Sequence, residues 1–158
     1  HYMNIYLAGP CNSDHRSLMV HVNKTVEQLI NKETDTIYCP FELKIEIAWD
    51  LTQEAWSREV FTHDCKAMED CDFAILISYG RESSAGTNWE QGYLYAQGKK
   101  IFVLQVTDKP TSLMTYVGCF NFYNVSENPQ ELAGAIKFIL QNWNQPHIHK
   151  GACRTVLT

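Results

Sequence analysis

The sequence predicts an α/β domain, a doubly wound sandwich in which a five-stranded, mainly parallel sheet carries helices on both faces. Three observations lead there. FAILIS at residues 73–78 and KIFVLQV at residues 100–106 are apolar runs bounded by polar residues, as strands covered on both faces require. Segments of strand length alternate along the chain with longer segments of helical length, the pattern that right-handed crossovers turn into a parallel sheet. The 158 residues are about one domain's worth and suffice to bury a core without disulfides or metals.

Residues 3–8 (MNIYLA) read as the first strand, closed by Gly9 and Pro10, and the polar residues 12–16 lead into a helix reaching about residue 30. Residues 36–39 form a second strand stopped by Pro40. The acidic, aromatic residues 41–51 read as a long loop or short helix, and residues 53–70 as a helix. The run at residues 73–78 is the central strand. A loop over residues 79–85 opens a helix near residues 86–98, and residues 100–106 are the fourth strand. A weaker strand over residues 121–125 precedes an amphipathic helix over residues 129–143, with Pro129 in its first turn. Residues 146–158 lack apolar periodicity and are expected to be unordered or to lie along a partner subunit. The domain is therefore expected to span residues 3–145, with a tail at 146–158 in which His147 and His149 are surface residues.

Composition excludes several classes. The formal net charge of −5 argues against binding a nucleic-acid polymer, which needs a basic stripe. The apolar run after Met3 is too short for a signal peptide or membrane span, so no membrane association and a cytoplasmic location are expected. His1 and Tyr2, ahead of Met3, read as an extraneous remnant. Six cysteines without a CxxC pair suggest reduced thiols, not a zinc site or a disulfide framework.

In such sheets ligands bind beyond the carboxyl ends of the strands, so the loops over residues 9–16, 40–51, 79–90 and 107–114 should converge on one pocket. Gly86, Thr87 and Glu90 sit at the entry to the third helix, in SSAGTNWEQGYLYAQGKK. Glu90, placed in the first helical turn, has two open readings: a partner of the helix dipole, or a carboxylate facing the pocket. Asp72, just ahead of the central strand, reads as a local cap.

IYLAGP near the start, HDCKAMEDCDFAIL in the middle and GTNWEQGYLYAQGKKIFVL resemble, in order and spacing, the nucleoside 2-deoxyribosyltransferase family. The resemblance covers roughly residues 3–140. It implies a flavodoxin-like fold and puts Glu90 at the position of the nucleophile. A carboxylate suits that chemistry, because a sugar losing its base gains oxocarbenium character and can be trapped as a glycosyl ester. Tyr6 matches the first-strand tyrosine that orients the nucleophile, and Asp64 the aspartate near the leaving base and sugar. No metal or organic cofactor is implied. Gly9 and Gly86 join the substrate-binding candidates, and Trp89, with Phe41 and Trp49, is open to stacking on a base or to core packing.

Two departures separate subfamilies. Where the transferases usually carry an aspartate and an asparagine for the sugar's 5'-hydroxyl, this chain has Ser84 and Ser112. Removing the aspartate's charge makes a phosphate tolerable, because hydroxyls and helix amides can donate to its oxygens. The loop resembles that of the nucleoside 5'-monophosphate N-glycosidases, the deoxynucleotide and hydroxymethyl-CMP hydrolases, which implies hydrolysis of a nucleotide. In those enzymes the second serine reaches the neighbouring subunit's phosphate, so a homo-oligomer is expected and Ser112 is a candidate to act in trans. Arg16, near His15 and Ser13, is the candidate cation for the phosphate or else a solvated helix start.

Other readings stay open at this level. Base exchange between 2'-deoxynucleosides would use the same intermediate. The residues leading to Glu90 also faintly resemble the TIR-type NADases. From a different class, the pocket could belong to a nucleotide sensor without chemistry.

Overall fold

The pleat points successive side chains of each apolar strand to opposite faces, and the sheet sorts them into two cores. The computed structural model describes residues 2–42, 52–125 and 127–158. Strands β1 (Asn4–Ala8), β2 (Thr36–Tyr38), β3 (Phe73–Ser78), β4 (Lys100–Gln105) and β5 (Asn121–Asn124) form one sheet in the order β2-β1-β3-β4-β5. Every pairing between these strands is parallel, so the expected mainly parallel sheet is wholly so among the described residues. This is the flavodoxin-like strand order, whose direction of winding reverses between β1 and β3.

The crossovers are α1 (Arg16–Leu29), α2 (Gln53–Asp70), α3 (Ala85–Ala96), α4 (Leu113–Val117) and, after β5, α5 (Pro129–Asn142). Ile5, Leu7, Phe73, Ile75, Ile77, Phe102 and Leu104 form one core with Val22 and Val26 of α1 and Leu132 and Ile136 of α5. Their neighbours Tyr6, Ala8, Ala74, Leu76, Ile101 and Val103 face the other way, against Met68 of α2 and Leu94 of α3. Each large apolar side chain so buried contributes about 1.5–3 kcal/mol. The period of two therefore fixes which helices Tyr6 can meet: α2 and α3.

Helix ends are satisfied by side chains. The Thr52, Ser84, Ser112 and Asn128 oxygens accept amide hydrogens at the starts of α2, α3, α4 and α5. At the other ends, the ammonium groups of Lys99, Lys150 and Lys100 donate to the last carbonyls of α2 and α4 and to those just past α5. The Asp72 carboxylate accepts the Asn4 amide at 2.7 Å, which ties the entry of β3 to that of β1; its role is structural, but the partner lies on another strand and is not local.

Two features depart from the sequence reading. Helix α4 was not expected, because five residues (LMTYV) are too few for an amphipathic period to show; the Ser112 cap and the Lys150 ammonium hold it from outside. Residues 146–158, expected to be unordered or to follow a partner, run back along their own chain. Thr111 and Leu157 form a parallel bridge, with the Thr111 amide donating to Val156 and the Thr158 amide to Thr111 at 2.9 and 3.0 Å. The Asn124 side chain donates to the Ala152 carbonyl and the Tyr116 hydroxyl to the Gly151 carbonyl. Main-chain polar groups hold the tail, so no apolar pattern announces it. His147 and His149 are exposed, as expected. Among the described residues no helix is long and apolar enough to cross a membrane.

Candidate active site

The α2/α3 side of the sheet carries a cavity of about 680 Å³ at the carboxyl end of β1, a size that suits one nucleoside-sized ligand. Helix α2 presents Ser57, Val60, Phe61, Asp64 and Met68 to it; the steps of three to four between Ser57, Val60 or Phe61, Asp64 and Met68 keep them on one face. The start of α3 supplies Ser84, Gly86, Thr87, Trp89 and Glu90, and the loop after β1 supplies Gly9, Cys11 and Asn12.

Tyr6 crosses under this floor. Its hydroxyl donates a hydrogen bond to Oε2 of Glu90, which joins β1 to α3. Tyr38, aligned with Tyr6 in the parallel β1–β2 register, stacks on it with ring centroids 5.6 Å apart and donates to Oδ1 of Asp64 at 2.8 Å. Two carboxylates thus share one cavity, each held by a tyrosine. The helix begins at Ala85, so Glu90 lies in its second turn and no acid occupies the first. The dipole reading of Glu90 falls away, since that effect fades beyond the first turn.

Burial pushes the Glu90 carboxyl up to about 8; the Tyr6 hydrogen bond works against this and the nearby Asp64 charge adds to it. Burial also raises Asp64, opposed by the Tyr38 hydrogen bond and by His63. Both phenols are raised far above their ordinary range, Tyr6 by burial and by Glu90, Tyr38 by burial and by Asp64, so both remain donors. Glu90 thereby costs stability when ionised. The unfolded chain releases this proton near 4.5 and the folded chain near 8, so folding stability declines as pH rises between those values. Relative to Glu90→Gln, the wild-type protein is expected to lose on the order of a few kcal/mol across that window, with no difference developing below it. Urea midpoints of both proteins against pH check this; parallel curves throughout would contradict it.

Ser84 caps α3 and lines the cavity, accepting the Thr87 amide at 3.2 Å and sharing a 2.7 Å hydrogen bond with the Thr87 hydroxyl. A Cβ on Gly86 would meet no atom within 4 Å, so the space above the helix start is open to a ligand. A Cβ on Gly9 would instead press on the Met19 sulfur at 2.6 Å, so packing against α1 already demands a glycine there. Trp89 is half exposed on the cavity wall, edge-on to Phe61 and stacked on Tyr93.

Not every candidate converges. Ser112 caps α4 and lines a separate concavity of about 420 Å³ with Asn88, Gln91 and Tyr95. Arg16 is exposed at the start of α1, with its guanidinium 5.5 Å from the centre of the Phe41 ring; it lies near Cys11 but does not line the cavity. Phe41 packs against the α1/α5 core, so it takes the core reading, while Trp49 lies outside the described residues. His15 stacks on Tyr79.

The sequence reading missed Tyr38, Trp56 and Phe61. Trp56 and Phe61 stay 44% and 55% exposed on the cavity side of α2, and with Trp89 they make an aromatic wall. Exposed aromatics on an otherwise polar helix were the available signal. Tyr38 left none, since only the register aligns it with Tyr6. A carboxylate pair of this kind, with hydrogen-bonded donors and an aromatic wall, can attack an electrophilic carbon and exchange a proton with a departing group.

The family model described as nucleoside 2-deoxyribosyltransferase matches residues 5–143. Among solved structures, the fold is similar to a 2-deoxyribosyltransferase from Bacillus psychrosaccharolyticus, at 23% identity and TM-score 0.65, over 80% of this chain and 89% of that one. It is also similar to a CMP N-glycosidase from Clostridium botulinum, at 16% identity and TM-score 0.55, over 85% and 98% of the two chains. A 2-desoxiribosyltransferase from Leishmania mexicana gives 17% identity and TM-score 0.55, over 87% and 97%. At these identities the likeness shows the fold. No curated protein matches the sequence.

Proposed function

The chain belongs to the nucleoside 2-deoxyribosyltransferase family, and on that premise we propose that it hydrolyses (deoxy)nucleoside 5'-monophosphates, releasing free base and sugar 5-phosphate through an ester on Glu90. Membership makes it an enzyme acting on small nucleoside compounds; the choice of nucleotide and of hydrolysis is our reading.

One observation carries the choice: a neutral serine, not a carboxylate, stands at the start of α3 on the cavity wall, beside the open space over Gly86. A phosphate there would meet the positive end of a twelve-residue helix whose first turn carries no acid. In the Clostridium relative a CMP N-glycosidase is built on the same fold.

The chemistry follows from the carboxylate pair. With the base against Trp56, Phe61 and Trp89, Glu90, whose carboxyl burial holds up to about 8, reacts in its ionised form: it attacks the anomeric carbon as the carbon–nitrogen bond breaks, and the departing base takes a proton from Asp64. Water then cleaves the ester: its proton returns to Asp64, its hydroxyl joins the sugar, and Glu90 leaves as a carboxylate. Tyr6 holds Glu90 in place. Burial raises both carboxyls, so the assignment of Asp64 as the acid rests on its place in the cavity beside the proposed base site.

Ser112 enters this scheme only across a subunit boundary. Its concavity is bordered by Tyr95, Met114 and Val117, exposed at 63%, 74% and 65%. Such an apolar patch supports a second copy of the chain seated there, with Ser112 directed to that copy's phosphate.

The test is chromatography of free base after incubation with ribo- and deoxyribonucleoside 5'-monophosphates and the matching nucleosides, each with and without an acceptor base. Release from monophosphates without acceptor is expected. Exchange only when an acceptor is present, with no preference for phosphate, would replace this reading with base transfer.

A further inference from the structure

The two carboxylates of the cavity are held from beneath by different strands. Tyr6 of β1 serves Glu90, and Tyr38 of β2 serves Asp64. The rings stack at 17° between planes, so each hydroxyl is aimed by the other ring as well as by its own strand. Tyr38 spends its one donor on Oδ1 of Asp64, which leaves Oδ2 as the oxygen able to carry a proton.

We propose that Tyr38 is a positioning residue for Asp64: its hydroxyl fixes which carboxylate oxygen gives the proton to the departing base, and sets the pH at which that proton is held. The proposal rests on the hydrolase reading for its catalytic part, whereas the hydrogen bond and the register stand without it.

Several groups face Asp64. Tyr6 comes from β1, Tyr38 from β2, Cys11 from the loop after β1 and Glu90 from α3, with His63 and Cys65 on its own helix. Burial favours the protonated form of Asp64; the Tyr38 hydrogen bond and the nearby His63 favour the ionised form. A phenol bound to Oδ1 therefore holds the acid at intermediate strength, able both to release a proton to the base and to recover one from water. Without it Asp64 would turn freely about its side-chain bonds and keep its proton to higher pH.

Tyr38→Phe removes the hydroxyl and keeps the ring on Tyr6, so it separates positioning from packing. The first readout is the carboxyl carbon-13 titration of Asp64, recorded in the Glu90→Gln background so that the two acids do not titrate as a coupled pair. The expected result is an upward move of about one pH unit in Tyr38→Phe. 3-Fluorotyrosine at position 38, a stronger donor on the same ring, should move the titration down, and it supplies the test should Tyr38→Phe not fold. The second readout is turnover of a nucleoside monophosphate in the Glu90 protein, where Tyr38→Phe should lower kcat about tenfold with KM changed less than about threefold. Coincident titrations, or a loss confined to KM, would overturn the proposal. If the wild-type protein releases no base from any monophosphate, the hydrolase reading fails, and the titration still decides whether Tyr38 controls Asp64.

Discussion

Glu90→Ala is expected to lower base release from nucleoside monophosphates by at least about 10³-fold, a barrier increase of roughly 4 kcal/mol. Tyr6 holds the Glu90 carboxylate at the cavity floor, and one of its oxygens would bond to the sugar. Without it the cavity can still hold the base against Trp56, Phe61 and Trp89, and the phosphate at the start of α3, so the Kd for a monophosphate should change less than about fivefold. Steady-state base release and calorimetric titration with a non-hydrolysable nucleoside monophosphate analogue measure the two quantities. A variant retaining a tenth of wild-type turnover would remove Glu90 from the nucleophile's role, and a parallel collapse of binding would indicate a damaged cavity.

Ser84→Asp should reverse the preference between nucleotides and nucleosides. Aspartate is as good a helix cap as serine, so the hydrogen bond from the Thr87 amide is retained and the fold should hold. The added charge would stand where the phosphate is proposed to sit. At about 4 Å and an effective dielectric near 20, each pair of unit charges is opposed by about 4 kcal/mol. Solvent at the open side of the cavity reduces this, and a loss of about 100-fold in kcat/KM for monophosphates is expected. Nucleosides, which carry no phosphate, should change less than about threefold. The measured quantity is the ratio of the two kcat/KM values; an unchanged ratio would mean that the phosphate binds elsewhere.

Much of the fold was legible in the chain. The apolar runs at residues 73–78 and 100–106 carry the strands Phe73–Ser78 and Lys100–Gln105, as a sheet covered on both faces requires of its central strands. Helix α2 has the bounds that its cap and pattern implied, Gln53–Asp70. The site was legible in part: Tyr6, Asp64, Ser84 and Glu90 were each picked out, and all four meet around one cavity. Ser112 and Arg16 were picked out beside them, yet the fold sets them outside it.

The resemblance to the nucleoside 2-deoxyribosyltransferase family supplied the site candidates, and the sequence by itself determined the order of strands and helices along the chain and the two-sided burial of the central strands. These follow from periodicity and capping, which act over a few residues and so are written in the chain. The tertiary structure alone decided that the Tyr6 hydroxyl meets a carboxylate 84 positions away. It also decided that Tyr38 stands over Asp64, that the tail returns to Thr111, and that Ser112 opens onto a different face of α3 from Glu90. Contacts of that kind depend on strand register and on the angle at which a helix packs, which are set by the whole core and by no local pattern.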